Sequence, residues 1–255
     1  MNLNRTIIDS INWLTEKVGY HVAISKKNGF PSDMSADDVA LFNSVRNYTM
    51  TTIERISALR VSVEYIVQHN IPGEIVECGV WRGGSMMTVA KTLQEIGDTS
   101  RRMRLYDTFK GMGPPAPEDG ADVVEQWKQQ TAQDHNKWCF APLEDVRANL
   151  ASTGYPSENI LYIQGLVEET LQDSLPDQIA ILRLDTDFYS STLAELNQLY
   201  PRLSPGGVLI IDDYGHFAGA RKAVDEYFSK TSKLPLLCRT DYTARICIKP
   251  QEKTK

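Results

Sequence analysis

An α/β fold, a doubly wound parallel sheet of the Rossmann-like kind, is predicted by three observations. Short apolar runs alternate with segments of helical period between Glu74 and Ile211. A glycine-rich turn, Gly79-Val80-Trp81-Arg82-Gly83-Gly84, joins the first run to the helical segment behind it. Carboxylates close several of the runs, at Asp107, Asp185 and Asp212-Asp213, where the strand ends of such a sheet gather ligands.

Before the sheet the period is helical. Ile7, Ile8, Ile11, Leu14 and Val18 recur at three-to-four spacing, and a second stretch runs from Val39 through Val63 and Ile66. Pro72-Gly73 ends it. Residues 1–70 are therefore expected to form an N-terminal helical extension or lid, and residues 71–255 the sheet domain. The expected strands are Glu74–Cys78, Met103–Tyr106, Ile160–Ile163, Ile179–Leu184 and Val208–Ile211, with helices over Ser85–Ile96, Leu143–Thr153 and Thr192–Tyr200. Pro205-Gly206-Gly207 reads as a tight turn into the fifth strand, and Leu234–Arg239 with Thr243–Ile248 as a terminal antiparallel hairpin. Gly111–Lys137 is long, polar and proline-bearing. It is expected to be disordered or a lid.

At 255 residues, 42% hydrophobic and 24% charged, the chain has ample core for a globular enzyme. A net charge of −6 argues against nucleic acid or an anionic membrane as partner, since phosphate contacts need a basic stripe. No run of 18 apolar residues suits a bilayer, and Met1–Asn12 does not read as a secretory signal. The four cysteines Cys78, Cys139, Cys238 and Cys247 form no Cys-x-x-Cys pair, so structural zinc is not indicated. A reduced, cytoplasmic protein is expected.

The turn spacing is Gly-x-x-x-Gly-Gly, not the Gly-x-Gly-x-x-Gly of dinucleotide oxidoreductases. Glu77, two residues before its first glycine, would sit badly beside a diphosphate and suits a cationic ligand such as the sulfonium and amino acid of S-adenosylmethionine. Asp107, at the end of the second strand, is placed to accept hydrogen bonds from ribose hydroxyls. Asp185, Asp187, Asp212 and Asp213 would repel one another at neighbouring strand ends unless a cation or proton compensates. Hard divalent cations prefer such oxygens, and three carboxylates leave half an octahedral shell for water and substrate.

With these residues in view, Glu77–Ser85, Asp107–Gly111, Pro201–Gly207 and Ile211–Tyr214 resemble the macrocin O-methyltransferase family, which includes the mycinamicin- and novobiocin-type sugar O-methyltransferases of antibiotic biosynthesis. The likeness runs from about Asn47 to Tyr227. It implies that residues 71–255 are an S-adenosylmethionine-dependent methyltransferase domain. The implied reaction is magnesium-dependent transfer of a methyl group to a sugar hydroxyl of a glycosylated small-molecule acceptor, in a homo-oligomer (dimer or higher). Carried onto matching positions, Asp185, Asp212 and Asp213 are the implied Mg2+ ligands and Asp185 also the general base. Glu77, Gly79, Gly83, Ser85 and Asp107 would bind the cofactor. Thr49 and Met50, matching a His-Thr-Met segment in which Tyr48 replaces His, would help enclose it. His216 and Asp187 are further candidates near the same mouth. The competing readings are a nicotinamide oxidoreductase, a metal-dependent phosphoesterase and a non-catalytic cofactor-binding protein.

Overall fold

The computed structural model describes residues 30–231 and 234–250. The chain divides into two compact units, residues 1–40 and 41–255. The expected helix around Ile7–Val18 lies outside the described residues. Helix α1, Ala36–Val45, opens with a reciprocal cap in which Asp38 N donates to Ser35 Oγ and Ser35 N donates to Asp38 Oδ2, both at 3.1 Å.

The second periodic stretch of the sequence is two helices rather than one. Between α1 and α2, Ile53–Gln68, the chain turns through Arg46–Thr52. There Thr51 N donates to Thr49 Oγ1 at 3.2 Å, and Thr52 caps α2 by accepting from Arg55 N. Such local side-chain acceptors compete with helix hydrogen bonds. Helix α2 buries Ile56, Leu59, Val63 and Ile66 in the same core as β1 and β2, so the compact division falls after Ala40 and not near residue 70.

The sheet has seven strands in the order β3-β2-β1-β4-β5-β7-β6. These are β1 Glu74–Cys78, β2 Met103–Asp107, β3 Ile160–Gln164, β4 Ile179–Leu184, β5 Leu203–Ile211, β6 Cys238–Arg239 and β7 Arg245–Ile248. The first five are parallel, and β6 and β7 close one edge antiparallel. Successive side chains of each strand feed opposite faces. Ile75, Leu105, Ile181 and Ile210 join one core with α2 and α3, Gly84–Ile96; Val76, Tyr106, Leu182 and Leu209 join the other. The second core is covered by α6, Val167–Thr170, α7, Tyr189–Gln198, and α8, Ala218–Ser229. Helix α5, Leu143–Ala151, packs beside α3.

Two local expectations change. Pro205-Gly206-Gly207 is not a turn before β5 but an irregularity within it. Leu203 pairs with Ile179 and Val208 with Ile181, so extra residues bulge out opposite β4.

The Gly111–Lys137 insertion is folded. It contains a 3₁₀ turn over Pro117–Asp119 and α4, Ala121–Gln130. Trp127 Nε1 donates to Met112 O, and buried Asn136 donates to Trp127 O, each at 2.9 Å. Asp119 latches the segment to the sheet domain by accepting from Tyr189 N at 2.8 Å, while its other oxygen accepts from Ala116 N within the segment at 2.7 Å. Among the described residues no helix is long and apolar enough to cross a membrane.

Candidate active site

Strand register brings one buried guanidinium among several acids. Glu77 pairs with Arg183, and Arg183 with Ile210, two residues before Asp212. The two-residue repeat of strands then turns Glu77, Arg183, Asp185 and Asp212 to one side. Arg183 Nη1 donates to Glu77 Oε1 at 2.6 Å and to Asp185 Oδ2 at 2.5 Å, while Nη2 donates to Asp212 Oδ1 at 2.5 Å. Arg55, from α2, donates to the other oxygen of Asp212. Its Nε lies 3.0 Å from Asp241 Oδ2, in the β6–β7 turn, but has no well-aligned acceptor, so that contact is ionic. Burial pushes Glu77 up to about 8 and Asp212 up to about 6, against the opposing pull of Arg183.

A second group of acids lies beside this network. Oxygens of Asp185, Asp187 and Asp213 all fall within 4.8 Å of one another. Asp187 and Asp213 lie close enough for each carboxyl to perturb the other, and Asp213 Oδ2 is buried with no partner. Burial is the main cause raising both, Asp187 to about 7 and Asp213 well above the carboxylate range. Asp212, expected beside Asp213 as a ligand, instead faces the two guanidiniums. Adjacent residues leaving a strand point to opposite sides, so an Asp-Asp pair divides between two tasks. Asp187 takes the third corner, with its backbone in the left-handed region at φ 67°.

Two cavities open at these strand ends. The smaller is lined by Gly79 and Asp107 on one side and by Met112, Pro114, Leu166, Val167 and Glu168 on the other. Asp107 Oδ2 accepts from Val80 N at 2.6 Å and Trp81 N at 3.1 Å, and Oδ1 from Phe109 N at 2.7 Å. The acid therefore clasps the glycine turn as well as facing the cavity. Burial raises its pKa despite these three donors. Gly79, at φ +81°, is required, because a Cβ there would lie 1.9 Å from Asp185 O.

The larger cavity, about 550 Å³, is lined by Tyr48, Thr49, Arg55, Ser85, Gln126, Trp138, Asp212, Asp213, His216, Phe217 and Tyr242, among others. Met50, Trp81, Cys139, Asp185 and Asp187 line both cavities and form a shared wall. Trp81, Cys139 and Asp187 all have positive φ without being glycine. Such strain persists where surrounding structure over-determines it, commonly at functional sites.

Of the residues expected at a cofactor, Thr49 and Ser85 line the larger cavity, Met50 both, and Gly79 and Asp107 the smaller. Glu77 lies beneath them at 1% exposure and lines neither, although its Oε2 has no partner. Gly83 is the left-handed N-cap of α3, where an added Cβ would meet Leu150, and it lines neither cavity. Phe140, just after the insertion, packs its ring at a tilt against His135 and lines neither cavity. The sequence reading missed Arg183, Arg55 and the Leu166–Glu168 wall. A lone arginine inside an otherwise apolar strand was the available signal for the first.

The structure matches that of the O-methyltransferase NovP with a TM-score of 0.73 and 30% identity, covering 80% of this chain and 83% of that one. Sheet order, paired cavities and this match define the class, an S-adenosylmethionine-dependent O-methyltransferase of Rossmann-like fold. The chain belongs to the macrocin-O-methyltransferase (TylF) family, whose model matches residues 17–245. It is 40% identical over 180 residues to 8-demethyl-8-(2,3-dimethoxy-alpha-L-rhamnosyl)-tetracenomycin-C 4'-O-methyltransferase of Streptomyces olivaceus, covering 71% of this chain and 67% of that protein. It is 33% identical over 183 residues to demethyldecarbamoylnovobiocin O-methyltransferase of Streptomyces niveus, covering 72% and 68% respectively.

Proposed function

We propose that this enzyme methylates a sugar hydroxyl on a glycosylated natural product, with S-adenosylmethionine in the smaller cavity and a magnesium ion at Asp185, Asp187 and Asp213. The carboxylate trio on the wall common to both cavities is the observation that carries this reading. Three oxygen donors, one of them a buried orphan and two held above the ordinary carboxylate range, suit a hard divalent cation. The name of the Streptomyces olivaceus relative specifies a rhamnosyl group on its acceptor, which supports a sugar as the methylated moiety.

When bound, the donor supplies a methyl group on a cationic sulfur, and the cation makes the acceptor hydroxyl more acidic. Asp185 is the general base in this reading. Arg183 holds its Oδ2, and its Oδ1 is left to take the hydroxyl proton as the oxygen–methyl bond forms. The shared wall brings the two reactants together across a few side chains, and Trp81 on that wall with Trp138 and Phe217 in the larger cavity present apolar surface that disfavours water. Asp107 offers its remaining acceptor capacity to ribose. Glu77 places a buried carboxyl group beneath the glycine turn, with one oxygen lacking a partner.

A neutral glycoside is favoured over a nucleotide sugar. Arg55 is the only arginine or lysine among the described residues lining the larger cavity, and Asp212 and Asp241 engage it. A diphosphate would find no free cationic side chain there.

Methyl-labelled S-adenosylmethionine, incubated with a panel of rhamnosylated and other glycosides, tests the reading. Label is expected in a glycoside with Mg2+ and not with excess EDTA; turnover that ignores EDTA removes the cation from the scheme. Asp185→Asn is expected to lower kcat by roughly 10²–10⁴ while S-adenosylhomocysteine still binds. Normal turnover in that variant removes Asp185 as base.

A further inference from the structure

Arg183 is 2% exposed on the central strand β4 and touches three carboxylates from three different strands or strand ends. Each belongs to a different part of the site. Glu77 lies at the foot of the glycine turn, Asp185 on the wall common to both cavities, and Asp212 on the larger cavity but not the smaller. We propose that Arg183 is a positioning residue whose fork couples the acceptor side of the site to the donor side. The inference rests on the assignment of donor and acceptor to the two cavities.

Three acids this close would separate if left to repel one another. A planar guanidinium fixes their spacing because its N–H groups leave in set directions. One nitrogen, Nη1, is shared by Glu77 and Asp185, so neither carboxylate moves without changing the other's hydrogen bond. Asp212 is gripped from its far side by Arg55, whose helix begins directly after the Thr49–Thr51 wall of the larger cavity. A displacement on the acceptor side thus reaches Asp212, then the fork, then Glu77, one residue before Cys78-Gly79. Lysine keeps the charge at this position but not the fork, so it separates neutralisation from positioning.

The test is isothermal titration of S-adenosylhomocysteine into the wild-type protein, Asp212→Asn, Arg183→Lys, their double variant and Arg55→Lys, with melting curves alongside. Asp212 does not line the smaller cavity, yet Asp212→Asn is expected to weaken S-adenosylhomocysteine binding about fivefold or more. Arg183→Lys is expected to do the same, and the double variant to be no weaker than the weaker single. A purely structural arginine would lower melting temperatures and leave affinity alone. Binding by Asp212→Asn within twofold of wild type, or losses that multiply in the double variant, overturns the coupling. Should Arg183→Lys not fold, Arg55→Lys decides instead: it releases Asp212 from the other side, and unchanged affinity there overturns the proposal. Failure of the wild-type protein to bind S-adenosylhomocysteine overturns the donor assignment itself, and the coupling with it.

Discussion

Replacing Gly79 by alanine tests whether both cavities depend on the close approach of β1 and β4. The new Cβ would lie 1.9 Å from Asp185 O and 2.5 Å from its carbonyl carbon, where contacts under 3.0 Å force a shift. Neither side yields easily. Gly79 N is bonded to Tyr106 O, and Asp185 N to Cys78 O, both at 2.9 Å. The left-handed backbone costs an alanine about 1–2 kcal/mol, and overpacking adds about 1–3 kcal/mol. A loss of this combined size lowers Tm by roughly 5–20 °C in a domain of this length. Gly97→Ala is the internal control, since Gly97 has a similar φ of +86° but nothing within 4 Å of its would-be Cβ. That variant is expected to lose only about 1 kcal/mol. Calorimetric melting and S-adenosylhomocysteine titration separate the two: only Gly79→Ala should also lose binding, by about tenfold or more. Equal melting and equal affinity in the two variants would refute the argument that the β1–β4 contact sets the site.

Two further outcomes are expected. Burial raises Asp187 to about 7 and Asp213 well above the carboxylate range, so their contribution to folding is present at acidic pH and is lost as pH rises through about 7. Melting without divalent cation should therefore fall from pH 6 to pH 8, and added Mg2+ should raise Tm more at pH 8; an equal Mg2+ shift at both pH values removes the trio as its site. Asp107→Ala strands the N–H groups of Val80, Trp81 and Phe109, which should cost at least about 2 kcal/mol and weaken S-adenosylhomocysteine binding. A destabilised variant with unchanged affinity leaves Asp107 as a clasp only.

The five parallel strands were legible because buried strands read as short apolar runs between Gly, Pro and polar breaks, and β1 and β4 match their expected bounds. The insertion was not legible. Helix α4 buries none of its residues, and its order comes from single long-range anchors, Trp127, Asn136 and Asp119, that leave no periodic trace. The acids were visible as a set but not in their division of labour. Asp212 and Asp213 are neighbours in sequence, and only the alternation of strand side chains, applied together with the β1–β4–β5 register, sends one to the arginines and the other to Asp187. Ser85 fell on the other cavity because it opens α3 facing the Tyr48–Thr51 turn, which sequence distance concealed.

The larger cavity is assembled from scattered stretches of chain: the 48–51 turn, Gln126 in the insertion, Trp138, His216-Phe217, and Tyr242-Thr243 beyond the last helix. The smaller one draws mainly on the turns that follow β1, β2, β3 and β4. With donor and acceptor assigned to these cavities as proposed above, acceptor preference and donor binding are written largely in different parts of the sequence. Under that assignment, exchanging the scattered stretches between relatives offers a route to new acceptors that leaves the turn after β1, the proposed seat of the methyl donor, intact.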